Sequence, residues 1–216
     1  MYPSVCPLVY RKGVTSDLAA AVLAGGASRR FGSDKALLSL PDGRTLLAAT
    51  VEKLRRLSTE VLLVVDRAGR YAELGLPVRE VIDRTPGAGP LGGLHAALSA
   101  ALADRVLLVG CDMPFLSPDL LAYMADLPRT YDALVPVSAG RSHPLHAIYA
   151  RACLPAADRL LDAGERRLQA LLPLVRTREV PPEEWERFDA RGLSLFNLNG
   201  RADLARMQAV WAESQP

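Results

Sequence analysis

Apolar runs of strand length alternate along the chain with stretches of helical periodicity. Leu18 to Ala24, Val61 to Val65, Val78 to Ile82, Val106 to Val109 and Ala133 to Pro136 are short and continuous, the pattern of strands covered on both faces. Between them, Thr45 to Leu57 places Leu46, Leu47, Val51, Leu54 and Leu57 at three-and-four spacing with basic residues opposite, and Leu91 to Ala103 repeats the design with smaller side chains. Strands joined by amphipathic crossovers form parallel βαβ units, so the pattern predicts an α/β fold: a three-layer α/β/α, Rossmann-like arrangement around a mostly parallel sheet. Ala202 to Ala212 reads as a closing helix, and the charged, proline-led stretch Pro181 to Arg191 as a surface excursion. No repeat or Pro/Gly/Ser-rich linker divides the chain; residues 1–17 read as an irregular N-terminal extension and residues 18–216 as a single domain.

Composition narrows the function classes. With 26 Lys and Arg against 24 Asp and Glu, the net charge of +2 gives no global reason to expect nucleic-acid binding. No apolar run approaches the roughly 18 residues of a membrane helix, and the short run after Arg11-Lys12 opens into glycines and arginines, unlike an export signal. The three cysteines, Cys6, Cys111 and Cys153, are far apart and odd in number, which suits a reducing, cytoplasmic setting and neither a disulfide framework nor paired zinc ligands.

Ligands of a parallel α/β sheet sit beyond the carboxyl ends of the strands. Gly25-Gly26 follows the first run, Asp66 the second, Asp83 the third and Gly110-Cys111-Asp112 the fourth. Each alone suits a turn or a helix cap, and the coincidence carries the weight. Leu23 to Lys35, LAGGASRRFGSDK, adds Arg29, Arg30 and Lys35 to glycines that let backbone amides approach a phosphate, although it matches neither the dinucleotide glycine fingerprint nor a P-loop. A basic solvated loop is the plain alternative; its place after a buried strand, and a lysine in a chain with only Lys12, Lys35 and Lys53, favour a polyphosphate site.

LAGGASRRFGSDKALLSL resembles the signature of the molybdenum cofactor guanylyltransferases, within the wider nucleotidyltransferase group. Val81-Ile82-Asp83, GPLGGLHAAL from Gly89, Gly110 to Pro114, His143-Pro144-Leu145, Ala163 to Arg167 and Phe196 to Asn199 agree in order, extending the resemblance from Leu18 to the C-terminus. It implies transfer of GMP from GTP to the phosphate of molybdenum-molybdopterin, with release of pyrophosphate. It also implies that the Leu23-Ala24-Gly25-Gly26 backbone, Arg30 and Asp83 hold the nucleotide, and that Lys35, with Arg29 in support, neutralises the triphosphate. Asp112 would bind Mg²⁺, a hard cation that takes few protein oxygens and completes its shell with phosphates and water; a helix cap before Pro114 is its alternative.

Asn197 and Asn199, two apart, would point the same way from an extended backbone, and the resemblance places them at the pterin end of the site; a turn before the last helix is the other reading. Arg166 and Arg167, in a helix-like stretch, resemble a pair that meets the anionic pterin, and a solvated face explains them equally well. His143, His146 and Arg141 could accompany them without forming a zinc cluster. Cys111 is assigned no chemistry, and Asp66, in VVDRAGR, is given no base contact. Implied partners are GTP, molybdenum-molybdopterin and the apoenzymes or delivery proteins that receive the product, with no nucleic acid and no membrane. Rival readings are a CTP-dependent transferase acting on the same pterin, against which the resemblance sets LAGG rather than LAAG, a sugar-phosphate nucleotidyltransferase, and a noncatalytic nucleotide-binding delivery protein.

Overall fold

The computed structural model describes residues 17–25, 34–83 and 87–213. The chain order is β1 (Leu18–Leu23), α1 (Leu46–Arg55), β2 (Val61–Val65), β3 (Arg79–Ile82), α2 (Gly89–Ala100), β4 (Arg105–Gly110), α3 (Pro118–Asp126), β5 (Ala133–Ser138), β6 (Arg141–Ser142), β7 (His146–Ala150), α4 (Leu154–Asp162), β8 (Thr177–Val180), α5 (Pro182–Trp185) and α6 (Arg201–Glu213). Helices α1 and α3 start where a side chain satisfies one of their first amides. Thr45 accepts from Ala48 N–H at 3.2 Å ahead of α1, and Ser117 from Leu120 N–H at 3.2 Å ahead of α3, with Pro118 in the first turn.

The strands form one sheet in the order β3-β2-β1-β4-β7-β5-β6, with β8 added beside β5. From β3 to β4 all pairings are parallel; β7 then runs antiparallel to both β4 and β5, and β8 returns parallel to β5. Alternate strand residues feed two cores, as the two-residue strand period requires. Ala20, Val22, Leu63, Leu107, Val109 and Leu134 meet α1 and α3 on one face. Ala19, Ala21, Leu62, Val64, Leu108 and Val135 meet α2 and α4 on the other. The three-layer α/β/α expectation holds.

Two sequence expectations need correction. Pro181 to Arg191 is no plain surface excursion: Trp185 in α5 is 4% exposed, joins the core and donates its indole N–H to Val137 O at 3.0 Å. One large aromatic outweighs the charges around it, since burying a side chain of that size contributes about 3 kcal/mol or more. Arg166 and Arg167 lie in irregular chain between α4 and the turn Leu168–Ala170, because Gly164, at φ 78°, ends the helical conformation after α4. The closing helix occurs as expected, with Leu204, Met207 and Trp211 packed against Leu46, Ala49 and Leu198. No helix among the described residues is long and apolar enough to cross a membrane.

Candidate active site

The parallel register brings the ends of β3, β2, β1 and β4 side by side, so Asp83, Asp66, Ala24-Gly25 and Cys111-Asp112 line one edge. Backbone bonds stitch the edge together: Asp83 N–H donates to Val65 O at 2.9 Å, Ala24 N–H to Val64 O at 2.9 Å, and Cys111 N–H to Leu23 O at 3.2 Å. A β-carbon at Gly25 would stand 3.1 Å from Asp66 N, so the end of β2 leaves room for glycine alone without displacement. Gly110 leaves room for the Asp112 carboxylate in the same way, since a β-carbon there would lie 2.7 Å from Asp112 Oδ1. At Gly92, in α2, a β-carbon would come within 3.2 Å of Asp83 Oδ2 and 2.4 Å of Ala88 Cβ. The sequence reading singled out neither Gly92 nor Gly110 for this steric role; only the fold reveals which carboxylate each one accommodates.

Lys35 and Asp112, 77 positions apart in sequence, are brought within ion-pair range, Nζ to Oδ2 3.6 Å. Lys35 opens the short turn Lys35–Leu37, capped by Asp34, whose Oδ1 accepts from Ala36 N–H at 3.1 Å. Its ammonium also donates to Leu198 O, while Leu198 N–H donates to Asp112 O at 2.9 Å. The Leu198 peptide therefore braces both members of the pair. Burial raises the Asp112 pKa above the ordinary carboxylate value, and Lys35 pulls it back only in part. Burial and the charge of Asp112 push the Cys111 thiol up to about 12, which favours the protonated thiol. On the far side of the loop Cys111 to Pro114, Lys53 donates from α1 to Pro114 O at 2.9 Å, its own pKa lowered to about 8 by burial.

Asp112 lies at one side of a cleft of about 650 Å³. Its walls include Asn197, Asn199, His143 and four arginines from separate segments: Arg141, Arg167, Arg191 and Arg206. The positive charge is partly committed: Arg167 pairs with Glu165 at 2.7 Å, Arg191 with Glu213 at 2.9 Å, and Arg206 lies over the Phe196 ring at 5.1 Å. Burial and Arg141 lower the pKa of His143, whose Nε2 is 2.8 Å from Ser138 Oγ. His146 is fully enclosed, Nε2 2.8 Å from Ser194 Oγ, and burial lowers its pKa to about 4. It supports the cleft from behind.

Asn197 and Asn199 both reach the cleft, and Asn199 Nδ2 donates to Asn197 O at 3.4 Å. Arg166 sits elsewhere, its carbonyl accepting from Leu91 N–H at 3.2 Å and its backbone packed on Gly89 at the start of α2; its neighbour Arg167 lines the cleft. Gly26, Arg29 and Arg30 lie outside the described residues. Asp66 is half exposed and pairs with Arg70 at 2.8 Å. Arg141, read from sequence as a companion of the two asparagines, does line the cleft with them, whereas Arg206 as a cleft residue escaped a reading by motif, because its place beside Asp112 depends on long-range packing of α6. Among the described residues no three His, Cys, Asp or Glu side chains group as a metal cluster. A cation at Asp112 would thus find one carboxylate and take its other oxygens from a substrate and water, a donor set suited to Mg²⁺ rather than to a closed zinc site.

A half-buried lysine and aspartate beyond the strand ends lie beside a glycine-lined edge and a cleft that carries four arginines, and comparison with known proteins identifies the family. The chain is 40% identical over 193 residues to a probable molybdenum cofactor guanylyltransferase of Chloroflexus aggregans, covering 87% of this chain and 92% of that one. It is also 40% identical to one of Deinococcus radiodurans, covering 91% and 97% respectively. Among solved structures, molybdopterin-guanine dinucleotide biosynthesis protein A from Archaeoglobus fulgidus superposes with a TM-score of 0.80 at 27% identity, over 90% of this chain and 99% of that one. The profile of the MobA-like NTP transferase domain matches residues 20–179, most of the sheet and the whole Lys35–Asp112 edge, and the chain belongs to that family.

Proposed function

We propose that the protein transfers GMP from GTP to the terminal phosphate of molybdenum-molybdopterin, forming the guanine dinucleotide of the cofactor and releasing pyrophosphate. The observation that carries this reading is the Lys35–Asp112 pair, 3.6 Å apart, at the junction of the strand-end edge and the arginine-lined cleft. The edge suits a nucleotide and the cleft an anionic acceptor, so the two reactants would meet at the pair. The names of the relatives supply the identity of both substrates.

In the reaction, an acceptor phosphate oxygen attacks the α-phosphorus of GTP; the new P–O bond forms as the bond to the bridging oxygen breaks, and pyrophosphate leaves with that electron pair. The attacking oxygen is already ionised, so no side chain need remove a proton, and the protein's task is to align two anions and offset their repulsion. The Leu23-Ala24-Gly25 backbone and Asp83 hold the nucleotide, with Gly26, Arg29 and Arg30 beside them in sequence. Lys35 faces the triphosphate as a point charge. Asn197, Asn199, Arg141 and Arg167 hold the acceptor, and Arg166, outside the cleft, stands against the start of α2. Mg²⁺ held by Asp112 would supply positive charge to the phosphate oxygens.

The test is pyrophosphate release by purified protein with Mg²⁺ and GTP, CTP, ATP or UTP, each with and without molybdopterin-loaded acceptor. Acceptor-dependent release from GTP alone is expected. Preference for CTP would overturn the base assignment, and GTP binding without turnover would make the protein a carrier.

A further inference from the structure

Arg70 and Tyr71 touch three segments at the nucleotide side of the edge, at Ala24, Asp34 and Asp66, and neither lines the cleft. The Tyr71 ring is 5% exposed, and its hydroxyl faces two acceptors, Ala24 O at 3.0 Å and Asp34 Oδ2 at 2.9 Å. Ala24 ends β1 and Asp34 immediately precedes Lys35, so one phenol spans both sides of the site. Arg70 completes the arrangement. Its Nη2 donates to Asp34 Oδ2 at 2.8 Å, its Nη1 to Asp66 Oδ1 at 2.8 Å, and its guanidinium lies 5.3 Å from the Tyr71 ring centre. The three side-chain bonds to the Asp34 carboxylate are thereby accounted for: Oδ1 caps Ala36, and Oδ2 takes Arg70 and Tyr71.

We propose that Arg70 and Tyr71 are positioning residues: a clasp that sets Lys35 at a fixed distance from the Leu23–Gly25 backbone, so that backbone and cation grip the same triphosphate. The energetic reason is pre-organisation. A segment left free must lose backbone freedom when nucleotide binds, whereas one pinned through Asp34 has lost it on folding and presents Lys35 from a fixed backbone position. Burial and Asp34 raise the pKa of the phenol, which keeps its proton for this contact at any working pH. The clasp also gives Asp66 a purpose: its carboxylate anchors the outer arm of Arg70 to the end of β2.

The proposal rests on the nucleotide reading of the edge, so its test has one arm that needs no ligand. The chain has three lysines, and growth on lysine labelled with ¹³C at Cε gives three side-chain signals. Tyr71→Phe and Asp34→Asn should both move the Lys35 signal and leave that of Lys53 in place. In the second arm, Kd for fluorescent GTP and CTP analogues with Mg²⁺ is measured on full-length protein, together with the acceptor KM. Tyr71→Phe should weaken binding of whichever nucleotide the parent prefers by roughly 5–10-fold, the scale of one lost hydrogen bond to a charged network, with the acceptor KM unchanged. Arg70→Lys, which keeps the charge and loses the fork, should fall between parent and Arg70→Ala.

Tyr123→Phe is the control. It removes a comparable phenol bond, to Glu184 Oε2 at 2.6 Å, away from the edge, and should lower the melting temperature without altering nucleotide Kd. If Tyr71→Phe behaves like Tyr123→Phe, and the Lys35 signal stays put, the clasp is only structural and the proposal is overturned. A moved signal in a parent protein that binds neither nucleotide would sustain the positioning of Lys35 and overturn the functional reading instead.

Discussion

The two halves of the sheet solve different problems with different architectures. From β3 to β4 the strands are parallel and joined by local crossovers, β2, β1 and β4 buried on both faces and β3 exposed at the sheet margin, and their ends build the edge proposed to hold the nucleotide. From β7 to β6 the pairing is antiparallel, and the cleft beside it draws on segments as distant as Arg141 and Arg206. In the proposed reaction the first half would present backbone and Lys35 to the phosphates of the nucleotide. The second would present several long side chains to the acceptor. A shared strand, β4, delivers Asp112 to the border between them.

The largest test of that division is Asp112→Asn. Removing the one carboxylate at the border should lower transfer by about 10²–10³-fold, on the scale of deleting a key electrostatic group, in a single-turnover assay. The same change should raise the melting temperature. The folded pKa of Asp112 lies above its unfolded value, so its stabilisation belongs to the protonated form and is lost as pH rises through the folded pKa; at neutral pH the buried charge costs stability that asparagine does not incur. A variant that is both inactive and less stable would mean that Asp112 serves the fold.

His146 sharpens the comparison from the other half. It takes up a proton only near pH 4 in the native protein and near 6.5 when unfolded, so acid favours the unfolded chain. Between pH 7 and pH 5 this single group should account for about 2 kcal/mol of lost stability, visible as a gap between the urea midpoints of parent and His146→Gln that changes over that range. Arg141→Ala comes next, with about 10-fold on the acceptor KM and none on that for GTP, measured by varying each substrate at saturation of the other. An equal loss for both substrates would erase the division of labour. Smallest is Arg191→Ala with Glu213→Ala: an exposed pair, expected to change stability by less than about 1 kcal/mol in chemical denaturation.

The same division explains what could be read in advance. Val61–Val65 is a strand in the sequence pattern and in the structure, because a strand covered on both faces advertises itself as a continuous apolar run. His146–Ala150 is not legible in that way. A proline stands two residues before it and a histidine opens it, and the imidazole is tolerated only because Ser194, 48 residues later, supplies a partner. Trp185 was hidden among charges for the same reason: its cavity is made by β5. Lys35 and Asp112 could be singled out by their positions after strands, whereas the brace between them, a backbone peptide at Leu198, has no side-chain signature at all. The clasp at Tyr71 was likewise invisible, since RAGRYAEL carries no pattern until the turn that contains it folds back on Ala24 and Asp34.

That brace has a consequence for the order in which the protein comes into being. A ribosome delivers every strand of the nucleotide half by Gly110, yet Leu198 emerges 88 residues later, on the order of ten seconds at ordinary synthesis rates. During that interval β1 to β4 can already pair, while the lysine and the aspartate at their ends still lack the peptide that steadies both. The last part of the chain to be made thus acts as the latch on the first, and a half-finished molecule is left without a completed site.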